Sequence, residues 1–397
     1  MRQLNFQRVF ITASIIGILL SYTIQAALIL ADPVKRTASD FIHFYAAGTI
    51  FHERGLAQIY KIDLQQEVEQ RQFNFKLADK QVLLYNHLPF LVPLIPAFIK
   101  NYSLAFCSWM LILLSINLAG IRALSEIIPE PGESNKLILM AGALLFLPIY
   151  ANIVNGQDTA FMLLGAAIFT WCMLNKREFL AGLALSLLTL RPQLALFVII
   201  PLFFWSRKAL GAYFLASGGL AFVSFMMIGW QGTLDFIHLL EISASGDWFG
   251  MNQNAMYNML GLIIRLFPGL SLVAIRQTAW GIYAAGGLGA AVLFWHSHIK
   301  PDIKFAILVV AALLLEPHLF YHDLSLLLIP IFILLREARI QKALNLKNIL
   351  LLPTAVGLLL FLSNANEFLH YSSAYLLMAA LVGGLLWLTE TRIKPLF

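Results

Sequence analysis

The sequence predicts an all-α polytopic membrane protein. Of its 397 residues, 60% are hydrophobic and only 12% are charged, and the mean hydropathy is +0.78. The apolar share of an ordinary soluble domain is about 45–50%. The apolar residues are also gathered into runs that approach the length of a membrane span, with polar stretches between them. These observations exclude a soluble globule and predict about 12–13 transmembrane helices.

The excess of basic residues fits a membrane protein better than a nucleic-acid-binding one. The net charge is +6 and the pI is about 9.2, yet no basic run is longer than a few residues. Lys and Arg held in cytoplasmic loops explain this balance, so no nucleic-acid partner is expected. Cys107 and Cys172 both lie in apolar runs, which favours buried thiols over a disulfide or a zinc site.

The first predicted element is an uncleaved transmembrane helix. Arg2 and Arg8 precede the apolar run Val9–Leu30, which is as long as a full span and has no small-residue cleavage pattern after it. The N-terminus is therefore expected in the cytoplasm. The polar stretch 32–80 follows as the first extracytoplasmic loop, with an amphipathic segment near 63–75.

Further apolar runs follow, and several of them are short for a bilayer. They lie at 82–99, 103–122, 137–154, 159–174, 179–205, 209–230, 278–295, 304–315, 319–335, 349–362 and 372–390. The positive-inside rule places the intervening basic clusters in the cytoplasm and leaves 231–277, 316–323 and 363–371 outside. Those clusters lie at 175–177, 206–208, 296–304, 336–347 and 392–394. No repeat or flexible linker interrupts the chain, so residues 1–397 are expected to form a single membrane domain.

Two stretches conflict with a regular alternation of spans. If Arg191-Pro192-Gln193 splits 179–205 into two helices, the total becomes odd and both termini cannot lie inside. If it does not, the basic clusters 175–177 and 206–208, which flank 179–205, fall on opposite sides of the membrane. Either 82–99, which contains three prolines, is a re-entrant or broken segment, or the Arg191-Pro192 break is a kink within one helix. The sequence leaves both interpretations open.

Asp40 is the first carboxylate that could take part in chemistry. Ser39 or Asp40 is a suitable N-cap for a helix that runs to about Arg54 and stops at Gly55. Capping and catalysis are both open to Asp40 on this pattern. One face of the helix would carry Asp40, His43, Phe44, Ala47, Gly48 and Phe51.

Polar residues between apolar runs are costly in a bilayer, so each is a candidate site residue. Asn155-Gly156-Gln157-Asp158 suits either a tight turn between helices or a polar site. Arg191 has apolar residues on both sides, which favours an anion partner over snorkelling alone.

Three more candidates lie in the later outer segments. Arg265 could anchor lipid headgroups or bind a ligand phosphate. His318 and His322 would share a helix face, and His322 could also be an interfacial histidine with a structural role. Their spacing suits a metal pair, but no third ligand and no His-Glu-x-x-His pattern is present, so no metal is predicted.

Short motifs recur in a fixed order along most of the chain. They are Asp40-Phe41 with Tyr45, Ala47 and Gly48; Tyr85-Asn86-His87-Leu88-Pro89-Phe90; Asn155-Gly156-Gln157; Leu190-Arg191-Pro192; Asn252-Gln253-Asn254 with Arg265; and Pro317-His318 with His322-Asp323. This order resembles glycosyltransferase family 87. The resemblance implies a GT-C-type fold and an enzyme that moves a sugar from a polyprenyl-phosphate donor to an extracytoplasmic acceptor, with mannose as the favoured sugar.

The resemblance also implies roles for individual residues. Asp40 would be the general base, His322 would assist catalysis at the departing phosphate, and the donor phosphate would be bound by Arg265, Arg191 and His318. No metal or other cofactor is required for this chemistry, although Asp40 and Asp323 could bind a metal. The sugar or acceptor would contact His43, Tyr45, Gln157, Asn252, Gln253 and Tyr85.

The sequence departs from the family pattern in three places. Arg191-Pro192 stands where Lys-Pro is common, Tyr85-Asn86-His87 where Tyr-Pro-Pro is frequent, and Glu316-Pro317 where Ser-Pro is usual. These changes keep the reaction type but leave the sugar and the acceptor open.

The expected partners are a lipid-linked sugar donor, a lipid or glycan acceptor and the lipids of a bacterial inner membrane, with the active site on the extracytoplasmic side. The oligomeric state is open. The alternative function is a transporter or flippase of lipid-linked sugars. No inverted repeat is visible, and the charged residues gather at the outer face, both of which favour the transferase.

Overall fold

The computed structural model describes residues 6–37, 39–73, 75–77, 81–245, 253–296 and 298–393. These residues form α-helices, short 3-10 helices and connecting loops, which confirms the all-α class. The α-helices, in chain order from α1 to α17, are Phe6–Ala31, Pro33–Thr37, Phe41–Arg54, Ile62–Gln70, Tyr102–Ser125, Glu133–Leu144, Leu147–Asn155, Thr159–Leu174, Glu178–Leu185, Pro192–Trp205, Arg207–Ser245, Met259–Leu266, Leu272–His296, Pro301–Leu315, Leu328–Ile340, Leu346–Ser363 and Glu367–Ile393.

The long helices of this fold are long and apolar enough to span a membrane. Within the described ranges, five segments qualify, and the bent pair α6 and α7 gives a sixth. Shorter apolar helices, among them α8, α10 and α16, occupy other predicted runs. Large apolar side chains on the long helices face outwards, as contact with lipid requires; examples are Leu20, Phe222, Leu288 and Leu376. The five segments are Thr12–Ala31, Tyr102–Ser125, Arg207–Ser243, Leu272–Trp295 and Glu367–Thr389.

Helix α3 forms where the sequence predicts it. It begins at Phe41 and ends at Arg54, followed by Gly55 at φ 90°, a conformation that favours glycine. Its apolar residues are buried against α5 and against the proline-containing segment 82–99. A Cβ on Gly48 would lie 2.5 Å from the Cβ of Ala97, so only glycine allows this close approach. This close contact fixes α3 against segment 82–99.

Segment 82–99 is broken and does not form a span. Its only helical part is the 3-10 helix Pro89–Leu94, because proline removes backbone donors and clashes with a continuous helix. Side chains of α4 satisfy its backbone instead. The Tyr85 N–H donates to Gln65 Oε1 at 2.8 Å, and the Leu83 N–H donates to Glu69 Oε2 at 3.2 Å. The interpretation of 82–99 as a broken segment is therefore confirmed.

The Arg191-Pro192 break is real as well. Helix α9 passes into the 3-10 helix Ser186–Leu190, and α10 starts at Pro192. A Cβ on Gly182 would overlap the Ala209 carbonyl oxygen, so α9 and α11 begin side by side. The basic clusters 175–177 and 206–208 therefore lie at one end of the bundle and Arg191 at the other. With 82–99 excluded as a span, the split at Arg191 no longer conflicts with the charge distribution.

The predicted outer loop 231–277 begins as a helix. Helix α11 bends at Gly229, whose φ is 66°, and continues to Ser245. This second half of α11 packs on the first loop, where the rings of Phe236 and Tyr60 are 4.7 Å apart. It forms one wall of the cavity described next.

Candidate active site

A cavity of about 270 Å³ lies where the first loop, segment 82–99, the two polar breaks, α11 and the 316–323 stretch meet. The residues predicted for the site come from distant parts of the sequence. Those that line the cavity are Asp40, His43, Gln157, Arg191, His318 and His322. Folding thus brings six of the expected side chains to one place.

Asp40 does not cap α3, although it stands at the N-terminus of that helix. Its side chain makes no capping hydrogen bond. Instead, Gln157 Nε2 donates a hydrogen bond of 2.6 Å to Asp40 Oδ2. The backbone N–H of His43 bonds the Asp40 carbonyl oxygen, so the carboxylate is left for the cavity. The geometry favours a functional role over capping for this side chain.

The turn Asn155-Gly156-Gln157-Asp158 is both a tight turn and part of the site. Gly156 has φ 78°, in the left-handed region, and a Cβ there would lie 2.8 Å from the Cβ of Phe41. Trp109 Nε1 donates to the Gly156 carbonyl oxygen at 2.8 Å. These contacts fix the position of the turn, and with it the positions of Gln157 and Asp158.

Asp158 is paired with His87, which also lines the cavity. The distance from His87 Nδ1 to Asp158 Oδ2 is 2.7 Å, and the Asp158 side chain is fully buried. Burial would raise the pKa of Asp158, but His87 and Arg191 nearby hold it below its ordinary value. The carboxylate is therefore ionised. We did not predict this pair, although His87 stands at a departure from the family pattern and Asp158 is a carboxylate between apolar runs.

His43 packs on His87 with nearly parallel rings, whose centroids are 5.3 Å apart. Its two ring nitrogens are buried and have no hydrogen-bond partner among the described residues. Burial, with His87 beside it, holds the pKa of His43 well below its ordinary value, so this histidine is neutral.

The anion that faces Arg191 is Asp323. Arg191 Nη2 lies 3.1 Å from Asp323 Oδ1 and 3.5 Å from His322 Nε2. Thr159 Oγ1 donates to the same carboxylate at 2.7 Å, and the Phe320 N–H donates to Asp323 Oδ2 at 3.0 Å. Arg191 is thus a buried, permanently charged group that is oriented by a fixed carboxylate.

His322 is a buried and His318 a partly buried side chain, and both are neutral. Burial lowers the pKa of His318 to about 4, and burial also lowers the pKa of His322 below its ordinary value. Both can exchange hydrogen bonds with a ligand but do not supply charge. In the described part of the chain, no group of three or more His, Cys, Asp or Glu residues is arranged to hold a metal ion.

Three of the predicted site residues lie away from the cavity and bind the protein itself. Arg265 donates to the Met256 carbonyl oxygen at 2.9 Å and to Tyr375 Oη at 2.6 Å, and its guanidinium lies 3.8 Å from the Tyr371 ring centre. Tyr45 and Tyr85 both donate hydrogen bonds to backbone carbonyl oxygens near or within segment 82–99. In this structure these three side chains are engaged in contacts within the protein.

A second chamber of about 260 Å³ adjoins the first and shares with it Asn86, Gln193, Leu240 and His318. Gln253 belongs here, and its Oε1 lies 3.4 Å from Arg276 Nε. Asn252, the remaining predicted residue, lies outside the described residues. The other walls of this chamber are largely apolar and include Met256, Leu260, Ala279 and Trp280.

Comparison with known proteins gives one family. The family model for glycosyltransferase family 87 matches residues 85–319 of this chain. The matched region contains Gln157, Arg191 and His318, whereas His322 lies just after it and Asp40 lies well before its start at residue 85. None of the curated proteins matches the chain.

Proposed function

The chain belongs to glycosyltransferase family 87 and is a membrane glycosyltransferase, and from this premise we propose its donor, acceptor and base. The donor is a polyprenyl-phosphate-linked hexose, with mannose favoured by the family resemblance, and the acceptor is an extracytoplasmic lipid or glycan. Asp40 is the general base. The observation that carries the proposal is the Asp40 carboxylate, held by Gln157 in a cavity that also contains Arg191.

The sugar already carries a good leaving group, its phosphate. The group that the enzyme must supply is a base for the acceptor hydroxyl. The acceptor oxygen forms a bond to the anomeric carbon, and the bond from that carbon to the phosphate oxygen breaks with its electron pair on the phosphate. The hydroxyl proton goes to Asp40. Gln157 holds Asp40 Oδ2 at 2.6 Å, which leaves Oδ1 to accept this proton.

Arg191 is the cation best placed for the donor phosphate. A guanidinium has five N–H donors, and the contacts with Asp323 and the His318 carbonyl oxygen use only part of them. The remaining donors can bind phosphate in a setting from which water is largely excluded, where such a contact is strong. Neutral His318 and His322 can add hydrogen bonds to the phosphate or the sugar.

The second chamber suits the lipid part of the donor. It joins the first chamber at His318 and has apolar walls from α12 and α13. The first prenyl units would lie against Leu260, Ala279 and Trp280, whose indole is half exposed on the outside of α13. Arg276 and Gln253 could then contact the phosphate from the lipid side.

Replacing Asp40 by Asn tests the assignment of the base. An amide keeps the shape of the side chain but takes up no proton, so Asp40→Asn should lose roughly 10²- to 10⁴-fold in transfer rate. Transfer is measured with purified protein, a radiolabelled synthetic polyprenyl-phosphate-mannose and membrane extract as the acceptor source. Asp32→Asn is the matched control, because Asp32 lies in the same loop and accepts a capping hydrogen bond from the Val34 N–H at 3.0 Å.

Folded Asp40→Asn with wild-type transfer would remove Asp40 from catalysis. A transporter needs no base at this position. The same protein is therefore reconstituted in vesicles, and movement of the labelled donor between leaflets without transfer would support a flippase instead.

A further inference from the structure

His87 and Asp158 form an oriented imidazole-carboxylate pair that the proposed base step leaves unused. His87 lines the cavity beside Asp40 and Arg191, and its Nδ1 is 2.7 Å from Asp158 Oδ2. The Asp158 side chain is fully buried, while 11% of the His87 side chain is exposed. A buried ionised carboxylate placed in this way fixes the orientation of the ring and holds a proton on Nδ1.

The His87 ring has little freedom to turn. It packs on His43 at 5.3 Å and on Phe44 at 4.7 Å between ring centroids, and Tyr60 Oη donates to the His87 carbonyl oxygen at 2.7 Å. Because Nδ1 is directed to buried Asp158 and the residue lines the cavity, Nε2 is the nitrogen available to a ligand.

The charges around the cavity call for a further proton donor. Four carboxyl groups, Asp40, Asp158, Glu316 and Asp323, act on one arginine, Arg191, in this part of the described structure. Burial raises the pKa of Glu316 to about 8 and keeps it uncharged, which leaves three carboxylates. A lipid-phosphate-sugar brings one negative charge, and the phosphate gains another as its bond to the sugar breaks. An N–H donor aimed at the phosphate would offset that developing charge.

We propose that His87, oriented by Asp158 and carrying a proton on both ring nitrogens when the donor binds, is the general acid of the transfer reaction and donates its Nε2 proton to the departing phosphate oxygen. This inference rests on the proposed glycosyl transfer. The bond between the anomeric carbon and the phosphate oxygen breaks, its electron pair stays on the phosphate, and the proton from Nε2 is bound there. Asp40 holds the proton of the acceptor hydroxyl, and exchange with solvent restores both groups.

One turn positions both proton-transfer groups. Gln157 bonds the base Asp40, and the next residue, Asp158, bonds the acid His87. The left-handed Gly156 and its contact with Trp109 fix that turn. The turn therefore holds the base and the acid in fixed relative positions. This suits a reaction in which Asp40 takes a proton from the acceptor while His87 gives one to the donor phosphate.

His87→Gln and His87→Ala test the acid. His87→Gln fills the space without donating a titratable proton, and it should lower kcat roughly 100-fold with little change in the donor KM. His87→Ala should regain activity as free imidazole is added, because the small base can occupy the vacated space. Asp158→Asn, which removes only the orienting charge, should lower kcat roughly 10- to 100-fold.

His43→Ala is the matched control, since His43 has the same ring in the same cavity wall but no carboxylate partner; imidazole should not restore whatever activity it loses. Thermal unfolding in detergent shows whether each variant is folded. The inference is overturned if folded His87→Gln keeps kcat within about 3-fold of wild type, or if imidazole fails to restore folded His87→Ala. If the wild type itself transfers no sugar, the proposed function fails; if only His87→Gln matches an active wild type, this inference fails alone.

Discussion

Three acidic side chains in or next to the cavity wall are each held by a different donor. Asp40 is bonded by the Gln157 amide, Asp158 by the His87 ring and Asp323 by Arg191 together with Thr159. Removal of one partner from such a buried pair leaves an uncompensated group, which costs about 3–5 kcal/mol. Variants at the supporting residues should therefore be judged by folding as well as by activity, whereas an isosteric amide at Asp40 keeps its hydrogen bond.

Glu69 is a buried carboxyl away from the cavity, and it should make stability depend on pH. Burial raises its pKa from 4.5 to about 8. The pKa of Glu69 is higher in the folded than in the unfolded state, so the folded state binds its proton more tightly. The resulting contribution to the free energy of unfolding is fully present below pH 4.5 and is lost as pH rises towards 8. Glu69→Gln should flatten this part of the stability profile and raise the melting temperature near pH 8.

Thermal unfolding in detergent across this pH range measures the effect. Glu53→Gln is the control, because Glu53 lies in the same loop with an exposed side chain paired to Arg71, and a surface pair of this kind contributes little. An equal slope in wild type and Glu69→Gln would contradict the assignment.

At the scale of elements, Arg191 and Arg265 should differ in what they support. Arg191 sits at the break before α10 and lines the cavity, whereas Arg265 links α12 to α17 through Tyr375. Arg191→Gln should weaken donor binding by about 1.5–3 kcal/mol, the range for a hydrogen bond to a charged group. Arg265→Gln should lower the melting temperature and keep donor affinity.

Both affinities can be measured by titrating purified protein with a synthetic polyprenyl-phosphate-mannose. Arg191→Lys separates charge from geometry, because it keeps the charge and loses the planar fork, and it should recover only part of the binding. Weaker donor binding in Arg265→Gln with normal binding in Arg191→Gln would return the phosphate role to Arg265.

Elements with local signals were predictable from the sequence. A polar residue at its N-terminus and Gly55 at its end predict helix α3. The prolines of 82–99 and the Arg191-Pro192 pair predict irregular backbone. That both stretches are broken, and how their backbone is satisfied, was not predictable. For segment 82–99 it depends on Gln65 and Glu69 of α4, whose side chains bond backbone N–H groups 20 and 14 residues further along the chain.

The site was predictable as a set of residues but not as a set of pairs. Polar groups between apolar runs marked Asp40, Gln157 and Arg191 because lipid disfavours them. Their partners depend on tertiary contacts: Asp40 and Gln157 are 117 residues apart, and His87 and Asp158 are 71 apart. A motif position also does not reveal where a side chain points: Arg265 and Tyr85 stand in motifs, and their side chains bond Tyr375 and the Leu88 carbonyl oxygen.

At the scale of the whole molecule, the described chain has two chemically distinct ends. The cavity end gathers the first loop, the 316–323 stretch and the start of α17, where the His370 and Tyr321 rings are 4.3 Å apart. Basic residues gather at the other end. There, Glu337 is fully buried and bonds both Lys300 and Arg336. An ion-pair cluster among basic loops is typical of the cytoplasmic side.

This polarity predicts that the cavity faces the extracytoplasmic side, and cysteine labelling can test it. In a background without Cys107 and Cys172, single cysteines replacing the exposed residues Glu53 and Asn364 should react with a membrane-impermeant thiol reagent in intact cells. A cysteine replacing exposed Lys342 should react only after permeabilisation. The reverse pattern would place the cavity in the cytoplasm. The extracytoplasmic acceptor would then be wrong, while membership of the family and the geometry of the Asp40 and His87 pairs would stand, because neither depends on which side of the membrane the cavity opens.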